Sequence, residues 1–597
     1  MGAIATATRT KMIGGGFLLH ESTPQDVFTP EDFTEEHIAI GKATADFFNK
    51  EVVPRLEAIQ HHEPGVAVEV LRKSAELGLT AVVVPEKFGG MELDLVSAMV
   101  VSENLARDGS YAGWHGGHSG IGTLPLLLFG TDEQKARYLP RLASGELVGA
   151  YCLSEPSCGS DALAAKTRAD LSEDGTHYVL NGQKMWITNG GAADLFTVFA
   201  KVNGEHFSAF LVERAFGGVS SGAEEKKMGI KGSSTTAVYL DQVKVPKENL
   251  LGEIGRGHII AFNILNLGRL KLGPGTVGGC KHLIHVSAKY AKDRKAFGQT
   301  ISNFGMIQHK LAEMAIRTFV SETISYRVTG MIESLLEDFH WEMEDAAGVM
   351  MKAVEEFAAE CSYVKVFASE TIDYVADEGV QIHGGYGYHQ DYAVERAYRD
   401  ARINRIFEGT SEINRMLATG MLIKRAQRGR LGLVQAVQAL QGEIMSGPSL
   451  NAPAASSAAL AAETAMVANA KKVALFVMGV AYQKFLTQLD EQQEVLAGLT
   501  DLAMGAFTIE SAVLRARKMT AAGQGQLAAA MTAVFARETI DAMESTARVL
   551  LAAASEGDSL RMNLAVLKRF TKYEPVNAIA LRRQVAARVL EAERYVV

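Results

Sequence analysis

An α+β fold, with helical units on both sides of a central β unit, is what the sequence predicts, and three observations predict it. Hydrophobic periodicity is helical from Thr29 to about Ser144, strand-like between about Gly149 and Leu251, and helical again from about His258. The stretch 446–459, SGPSLNAPAASSAA, is small, polar and proline-bearing, which is linker composition, and it separates off a last helical stretch. At 597 residues the chain is too long for one ordinary core. The expected parts are an N-terminal segment (1–28), a helical domain (29–148), a β domain (149–252), a second helical domain (253–428), an amphipathic segment with the linker (429–460) and a C-terminal helical domain (461–597).

Each element has a local reason. Thr29-Pro30-Glu31-Asp32 reads as a cap, a first-turn proline and an acidic first turn, and Thr131-Asp132-Glu133-Gln134 reads as a capping box. The β-type runs Tyr178 to Leu180, Leu195 to Val202, Phe207 to Val212 and Thr236 to Val245 are separated by Asn-Gly and Gly-Gly turns, which predicts an antiparallel unit. Leu311, Met314, Ala315 and Phe319 share one helix face, as do Val473, Phe476, Val477 and Val480. Between them, Leu433, Val437, Leu440 and Ile444 line one side of a helix that follows Arg425, Arg428 and Arg430, a pattern that could lie on a membrane surface or pack on the protein.

Composition removes several function classes. The net charge of −9 speaks against a nucleic-acid binder, which normally carries a basic excess. Four cysteines without a CxxC pair give no disulfide framework and no metal ligand set, and fit a reducing compartment. The first sixteen residues lack the long apolar region of a secretory signal, Met1-Gly2 with Thr6 matches the loose myristoylation pattern as chance often does, and the apolar stretch Val473 to Tyr482 is half a bilayer span.

Five motifs carry chemistry. Tyr151-Cys152-Leu153-Ser154-Glu155-Pro156-Ser157-Cys158-Gly159-Ser160 leaves a strand into a loop of small and hydroxyl residues, where backbone amides can reach a polar ligand edge. Trp186-Ile187-Thr188 sets a Trp and a Thr two apart on a strand; such a Trp is usually core, but beside a Thr it can lie along a flat heterocycle. Arg294 and Phe297 follow a helix, the guanidinium being a bidentate partner for phosphate. Gln381-Ile382-His383-Gly384-Gly385 is a glycine-rich break where backbone can approach a ligand. Glu408 stands at the junction of the run Tyr398 to Phe407, read as helix, and a helix from Glu412 capped by Thr410 or Ser411, so its carboxylate is held by two elements. The macrodipole disfavours an anion at the end of the first of these.

In this order and spacing the five motifs resemble the acyl-CoA dehydrogenase family, over about Thr29 to Arg428. The resemblance implies two helical domains around a β domain, with FAD between the β and second helical domains and across a subunit interface. It implies that Tyr151, Leu153, Ser154, Gly159 and Ser160 with Trp186, Ile187 and Thr188 line the isoalloxazine. Arg294 and Phe297, with Gln381, Ile382, Gly384 and Gly385 from a neighbouring subunit, would hold the pyrophosphate and adenosine end, and Thr410 and Glu412 would meet the cofactor at the next helix. Glu408 takes the place of the catalytic base. It would remove the α-proton of an acyl thioester while its N–H and a ribityl hydroxyl grip the carbonyl and the β-hydrogen leaves as hydride to flavin N5. Covering the carboxylate with an acyl chain should raise its pKa toward a useful base.

Some members carry their base just before an arginine on an earlier helix. That site reads Asn266-Leu267-Gly268-Arg269 here, so the glycine leaves Glu408 as the base, with Arg269 near the active site, and Asn266, Ser160 and Gly409 on the substrate side. Gly113, Gly116 and Gly117 fall in Ala112 to Ile121, which resembles the floor of the acyl pocket, where medium-chain members carry bulky polar side chains. The tail of some 170 residues resembles the added domain of very-long-chain members, which form dimers. The implied activity is dehydrogenation of long-chain acyl-CoA to trans-2-enoyl-CoA, the first step of fatty-acid β-oxidation, with electron-transfer flavoprotein as acceptor, in a homodimer of the bacterial cytoplasm or the inner face of its membrane. Two alternatives stand beside it: an oxidase passing electrons to oxygen, which would release hydrogen peroxide, and a non-enzymatic assembly protein of respiratory complexes, against which the retained Glu408 and flavin loops argue. Gly273-Pro274-Gly275-Thr276-Val277-Gly278 matches the dinucleotide fingerprint, yet no clear strand precedes it, and Pro274 predicts a kink or break in its helix.

Overall fold

The computed structural model describes residues 12–446 and 460–597. The readings of the first eleven residues and of 447–459 as linker therefore lie outside the described residues. Thr29 and Asp32 do form a capping box, but it opens only the short 3-10 turn Pro30–Asp32; the first α-helix, Glu35–Phe47, has its own cap at Thr34. Thr131 caps Asp132–Ala143 as expected, its Oγ1 accepting from Gln134 N at 3.2 Å and Gln134 Oε1 accepting from Thr131 N at 3.0 Å.

The β unit is one eight-stranded sheet of β1 (Gly149–Cys152), β2 (Arg168–Leu171), β3 (His177–Thr188), β4 (Leu195–Val202), β5 (His206–Glu213), β6 (Val219–Ser221), β7 (Thr235–Pro246) and β8 (Leu250–Leu251), ordered β6-β7-β3-β2-β4-β5-β8 with β1 also on β4. The purely antiparallel expectation is corrected here. β1 pairs in parallel with Leu195 to Val198 and β2 in parallel with Lys201 and Val202, so the two strands follow one another end to end along one edge of β4. The loop between them, 153–167, cannot be a hairpin and is held from inside: Lys184 Nζ is 2.7 Å from Glu155 Oε1, both side chains are buried, and Glu155 also accepts from the N–H groups of Lys166 and Thr167 at 2.6 and 3.1 Å.

The second helical domain is built on Gly257–Asp293, Gly305–Glu333 and Ala358–His383. The first of these passes through Pro274 without interruption, against the expected break. An interior proline costs about 3 kcal/mol, and burial of Leu270, Gly273, Pro274 and Val277 in the helix packing outweighs it. Two of the three fingerprint glycines are packing glycines: a Cβ on Gly273 would meet Ser325 Oγ at 2.3 Å, and one on Gly278 the carbonyl oxygen of Glu103 at 1.9 Å.

The helix Leu433–Met445 buries Leu433 and Leu440, and Val437 lies against Gly479 of the helix Ala461–Phe485. The side that the sequence offered to a membrane is thus covered by protein, leaving Val434 and Met445 outward. Among the described residues two helices, in Ala461–Glu491 and Gln493–Ala521, are long and apolar enough to cross a membrane, yet both are mostly buried inside the protein. Buried ion pairs tie this last domain to the second helical domain, including Arg327 to Glu510 at 2.7 Å and Arg582 to Glu313 at 2.6 Å.

Candidate active site

Glu408 sits where the helix Ala393–Ala401 has already tightened into the 3-10 turn Arg402–Arg405 and before Ser411–Gln427 begins. The run Tyr398 to Phe407 is therefore not one helix. The change of direction is taken up by two successive left-handed residues, Glu408 (φ 57°) and Gly409 (φ 81°). A non-glycine residue there is strained and must be held by its surroundings. The hold is visible: Arg269 Nε donates to the Glu408 carbonyl at 3.1 Å, and Asn414 Nδ2 reaches the carbonyls of Glu408, Gly409 and Thr410 at 3.3, 2.8 and 3.0 Å. Thr410 Oγ1 caps the following helix by accepting from Ile413 N at 3.2 Å. Glu412 lies exposed in its first turn, where the helix N-terminus lowers its pKa.

The carboxylate itself is not consumed by structure. Oε2 of Glu408 is buried and has no hydrogen-bond partner among the described residues. Burial pushes its pKa up to about 7, against the opposing pull of Arg269 and Lys365. Gly268 faces it at contact range: a Cβ at that position would stand 2.7 Å from Oε2 and 2.8 Å from Cδ. The glycine therefore does more than remove a rival acid, since it makes the space that this carboxylate occupies. Gly268→Ala is expected to displace the Glu408 side chain and lower acyl-CoA-dependent flavin reduction by about tenfold or more with little change in melting temperature. Stopped-flow absorbance and a thermal melt check the two parts separately.

Asn266 is buried and its Oδ1 accepts from Arg269 at 2.8 Å. It supports the arginine that supports the turn.

A cavity of about 280 Å³ runs from Glu408 along the helix Gly257–Asp293, whose Gly268, Leu272, Gly275, Gly279 and His282 line it at helical spacing. The opposite wall is Gly109–Gly116 and the π-helical turn Gly117–Gly122, which together span Ala112 to Ile121. The three glycines there differ. A Cβ on Gly113 would meet Ser233 Oγ at 2.7 Å and one on Gly117 would meet Thr188 Cγ2 at 2.7 Å, so these two admit neighbouring protein; Gly116 faces open space. A polar edge of Asp108, Arg396 and Asp400 lies beside Gly109.

The residues expected at a flavin differ in exposure. Thr188 lines the cavity. Trp186 is 62% exposed, not core, because a bulge with Trp186 at φ 57° interrupts the alternation of β3. Gly159 and Ser160 are exposed on the loop that the Lys184–Glu155 pair holds, and Ser154 accepts from Met185 N at 3.0 Å. Tyr151, Leu153 and Ile187 are buried, Tyr151 with its ring against Phe199 at 5.1 Å, so their side chains are packed into protein.

A second cluster gathers Arg294 over the Tyr386 ring at 5.3 Å, the 95% exposed Phe297 at the tip of a two-residue hairpin turn, and exposed Gln381, Gly384 and Gly385; Ile382 points into the core. Arg294 and Tyr386 meet within one chain. Gly298, Gly384 and Gly385 have no atom within 4 Å of a built Cβ, and an open cradle beside a guanidinium suits a pyrophosphate.

Sequence reasoning missed Asn414, Lys365 and the Lys184–Glu155 pair. Lys365 is buried in the helix Ala358–His383 with no partner for Nζ, and burial lowers its pKa to about 8. Its only sequence signal is a lone lysine among apolar neighbours.

Comparison with known proteins agrees with this geometry. Models of the acyl-CoA dehydrogenase N-terminal, middle and C-terminal domains match residues 34–146, 150–243 and 255–422, and a further acyl-CoA dehydrogenase C-terminal domain model matches 469–569. The chain is 49% identical to a probable acyl-CoA dehydrogenase of Bacillus subtilis over 98% of each chain. It is 42% identical to the rat mitochondrial very long-chain specific acyl-CoA dehydrogenase over 59% of this chain and 52% of that one. A crystal structure of an acyl-CoA dehydrogenase complexed with FAD from Bacillus anthracis superposes with a TM-score of 0.96 at 49% identity, over 98% of this chain and all of that one. The chain belongs to the acyl-CoA dehydrogenase family of FAD-dependent oxidoreductases.

Proposed function

We propose that this protein dehydrogenates long-chain acyl-CoA to trans-2-enoyl-CoA, with Glu408 as the base that takes the α-proton at Oε2. The observation that carries the chain-length reading is the cavity. From Gly268, against the base, its lining on one helix reaches His282, and fourteen residues at about 1.5 Å each make ~21 Å. An all-trans acyl chain advances about 1.25 Å per methylene, given C–C bonds near 1.5 Å, so the groove matches roughly sixteen carbons.

The rest of the turn supports the base. Glu408 N–H has no acceptor among the described residues, and Arg269 fixes the same peptide turn from the carbonyl side, so this N–H can donate to the thioester oxygen as negative charge develops there. Bound FAD would lie along Trp186, Thr188 and the Gly159–Ser160 loop and supplies the hydride acceptor for the β-carbon. The exposed Phe297, Tyr388 and Met306 support pairing of two chains around the Arg294 cluster. Electron-transfer flavoprotein is the proposed acceptor; hydrogen peroxide formed in air during turnover would instead support the oxidase reading. Four unpaired cysteines and the covered Leu433–Met445 helix favour the cytoplasm over a membrane surface.

Anaerobic titration of the FAD-bound protein with acyl-CoAs from C4 to C20 tests the proposal. Bleaching of the flavin should be most effective near C16; a maximum at C4 to C8 overturns the long-chain reading, and no bleaching at any length overturns the activity. Because only the ionised carboxylate can accept a proton, the rate of flavin reduction should fall as pH drops through about 7 and level off above it, which a pH profile of the reductive half-reaction measures.

A further inference from the structure

The distal end of the cavity is formed where two helices cross. Ser102 and Ala106 line it from the helix Leu95–Leu105 and its C-terminal cap, and Gly279, His282 and Leu283 from Gly257–Asp293. The crossing is tight, as the Gly278–Glu103 approach shows. Yet the second helix is intrinsically weak here, with Gly273, Pro274, Gly275, Gly278 and Gly279 within seven residues. Each glycine disfavours helix by about 1 kcal/mol relative to alanine. Something outside the helix must fix its position.

An ion network, buried at its Arg515–Glu322 pair and partly exposed at Lys281, does so on the face turned away from the cavity. Lys281 Nζ lies 2.5 Å from Glu103 Oε1 and 2.5 Å from Glu322 Oε1, joining both crossing helices to Gly305–Glu333. Tyr326 donates to the other oxygen of Glu103 at 2.7 Å. The other oxygen of Glu322 is held from the C-terminal domain, by Arg515 at 2.6 Å and by the Tyr595 hydroxyl at 2.9 Å. Arg515 is anchored in turn by Glu31 at 2.8 Å and by Thr323 at 3.1 Å. Arg515 and Glu322 are both almost wholly buried. Charges taken out of water must keep their partners at hydrogen-bond distance, so such a network tolerates little displacement. Lys281 is the residue next to His282, and a shift at one passes to the other.

We infer that the C-terminal domain sets the depth of the acyl cavity, with Arg515 and Tyr595 as positioning residues that hold the Glu103–Lys281–Glu322 crossing at its distal end. This rests on the reading of the cavity as the acyl site. It gives the added domain a part in substrate selection in addition to any part in assembly.

Tyr595→Phe removes one hydrogen bond and Arg515→Lys keeps the charge while losing the planar fork; Arg537→Lys alters the equally buried Arg537–Glu463 pair inside the C-terminal domain as a control. With kcat/KM measured on hexadecanoyl-CoA and octanoyl-CoA, both network variants should lower the long-to-short ratio by about fivefold or more while octanoyl-CoA turnover stays within about twofold, since misplacing a remote wall by a fraction of an ångström costs only the substrate that reaches it. Arg537→Lys should leave the ratio unchanged. Should Arg515→Lys fail to fold, Tyr595→Phe decides alone. An unmoved ratio in a wild type active on both substrates, or an equal change in Arg537→Lys, overturns this inference alone. A wild type inactive on hexadecanoyl-CoA overturns the long-chain reading, and this inference with it.

Discussion

Glu408→Gln is expected to give a folded, yellow protein that binds acyl-CoA and does not bleach. The substitution preserves shape, and the contacts that hold the turn are to the Glu408 carbonyl and to Gly409 and Thr410, none of which involves the carboxylate. What is lost is the proton acceptor at a position where Oε2 has no other partner. General-base removal typically costs about 10²–10⁴ in rate, and no second carboxylate lines the mouth at Gly268, so the upper part of that range is expected here. Anaerobic stopped-flow reduction by hexadecanoyl-CoA measures it, with FAD content and a thermal melt as controls for folding. Reduction within about tenfold of wild type would place the base elsewhere. Stability should not fall, because a carboxylate whose pKa burial raises to about 7 is costly to bury ionised, and the neutral amide costs less.

The same turn shows what a sequence reveals and what it withholds. Local chemistry was readable: the capping box at Thr131, the strand Leu195–Val202 and the acid before Gly-Thr-Ser are set by neighbours in the chain. The helix-strand-helix order was readable for the same reason. Parallel pairing of β1 and β2 with β4 was not, since it depends on a loop route fixed by a lysine thirty residues away. Pro274 misled because propensity was weighed without the tertiary packing that overrides it. Gly113 and Gly117 do line the cavity, and only coordinates show that a Cβ on either would also meet Ser233 or Thr188. Nor could spacing alone show that Asn266 serves Arg269, or that Arg294 and Tyr386 meet within one chain. Long-range partners were the missing information in each case.

Gly275→Leu separates the cavity from the catalytic turn most cleanly. Position 275 lies seven residues from Gly268, which is ~10.5 Å along the helix, or about eight methylenes beyond the base at ~1.25 Å each. A Cβ built there meets nothing nearer than Ser102 Oγ at 3.7 Å, an ordinary contact, so the new side chain enters the cavity without forcing the backbone. Leucine is also the better helix former by roughly 1 kcal/mol, which argues against a folding defect as the cause of any loss. The expected result is a fall of about a hundredfold in kcat/KM for hexadecanoyl-CoA, because a filled groove must be reopened at an overpacking cost of roughly 1–3 kcal/mol or the chain must bend. Butanoyl- and hexanoyl-CoA should be turned over as before. Gly117→Leu provides the contrast, since its Cβ would collide at 2.7 Å with Thr188, where the flavin is proposed to lie, and should harm every chain length alike. A uniform loss in Gly275→Leu would mean that the acyl chain does not follow this helix, and the ~21 Å groove would then belong to some other part of the substrate.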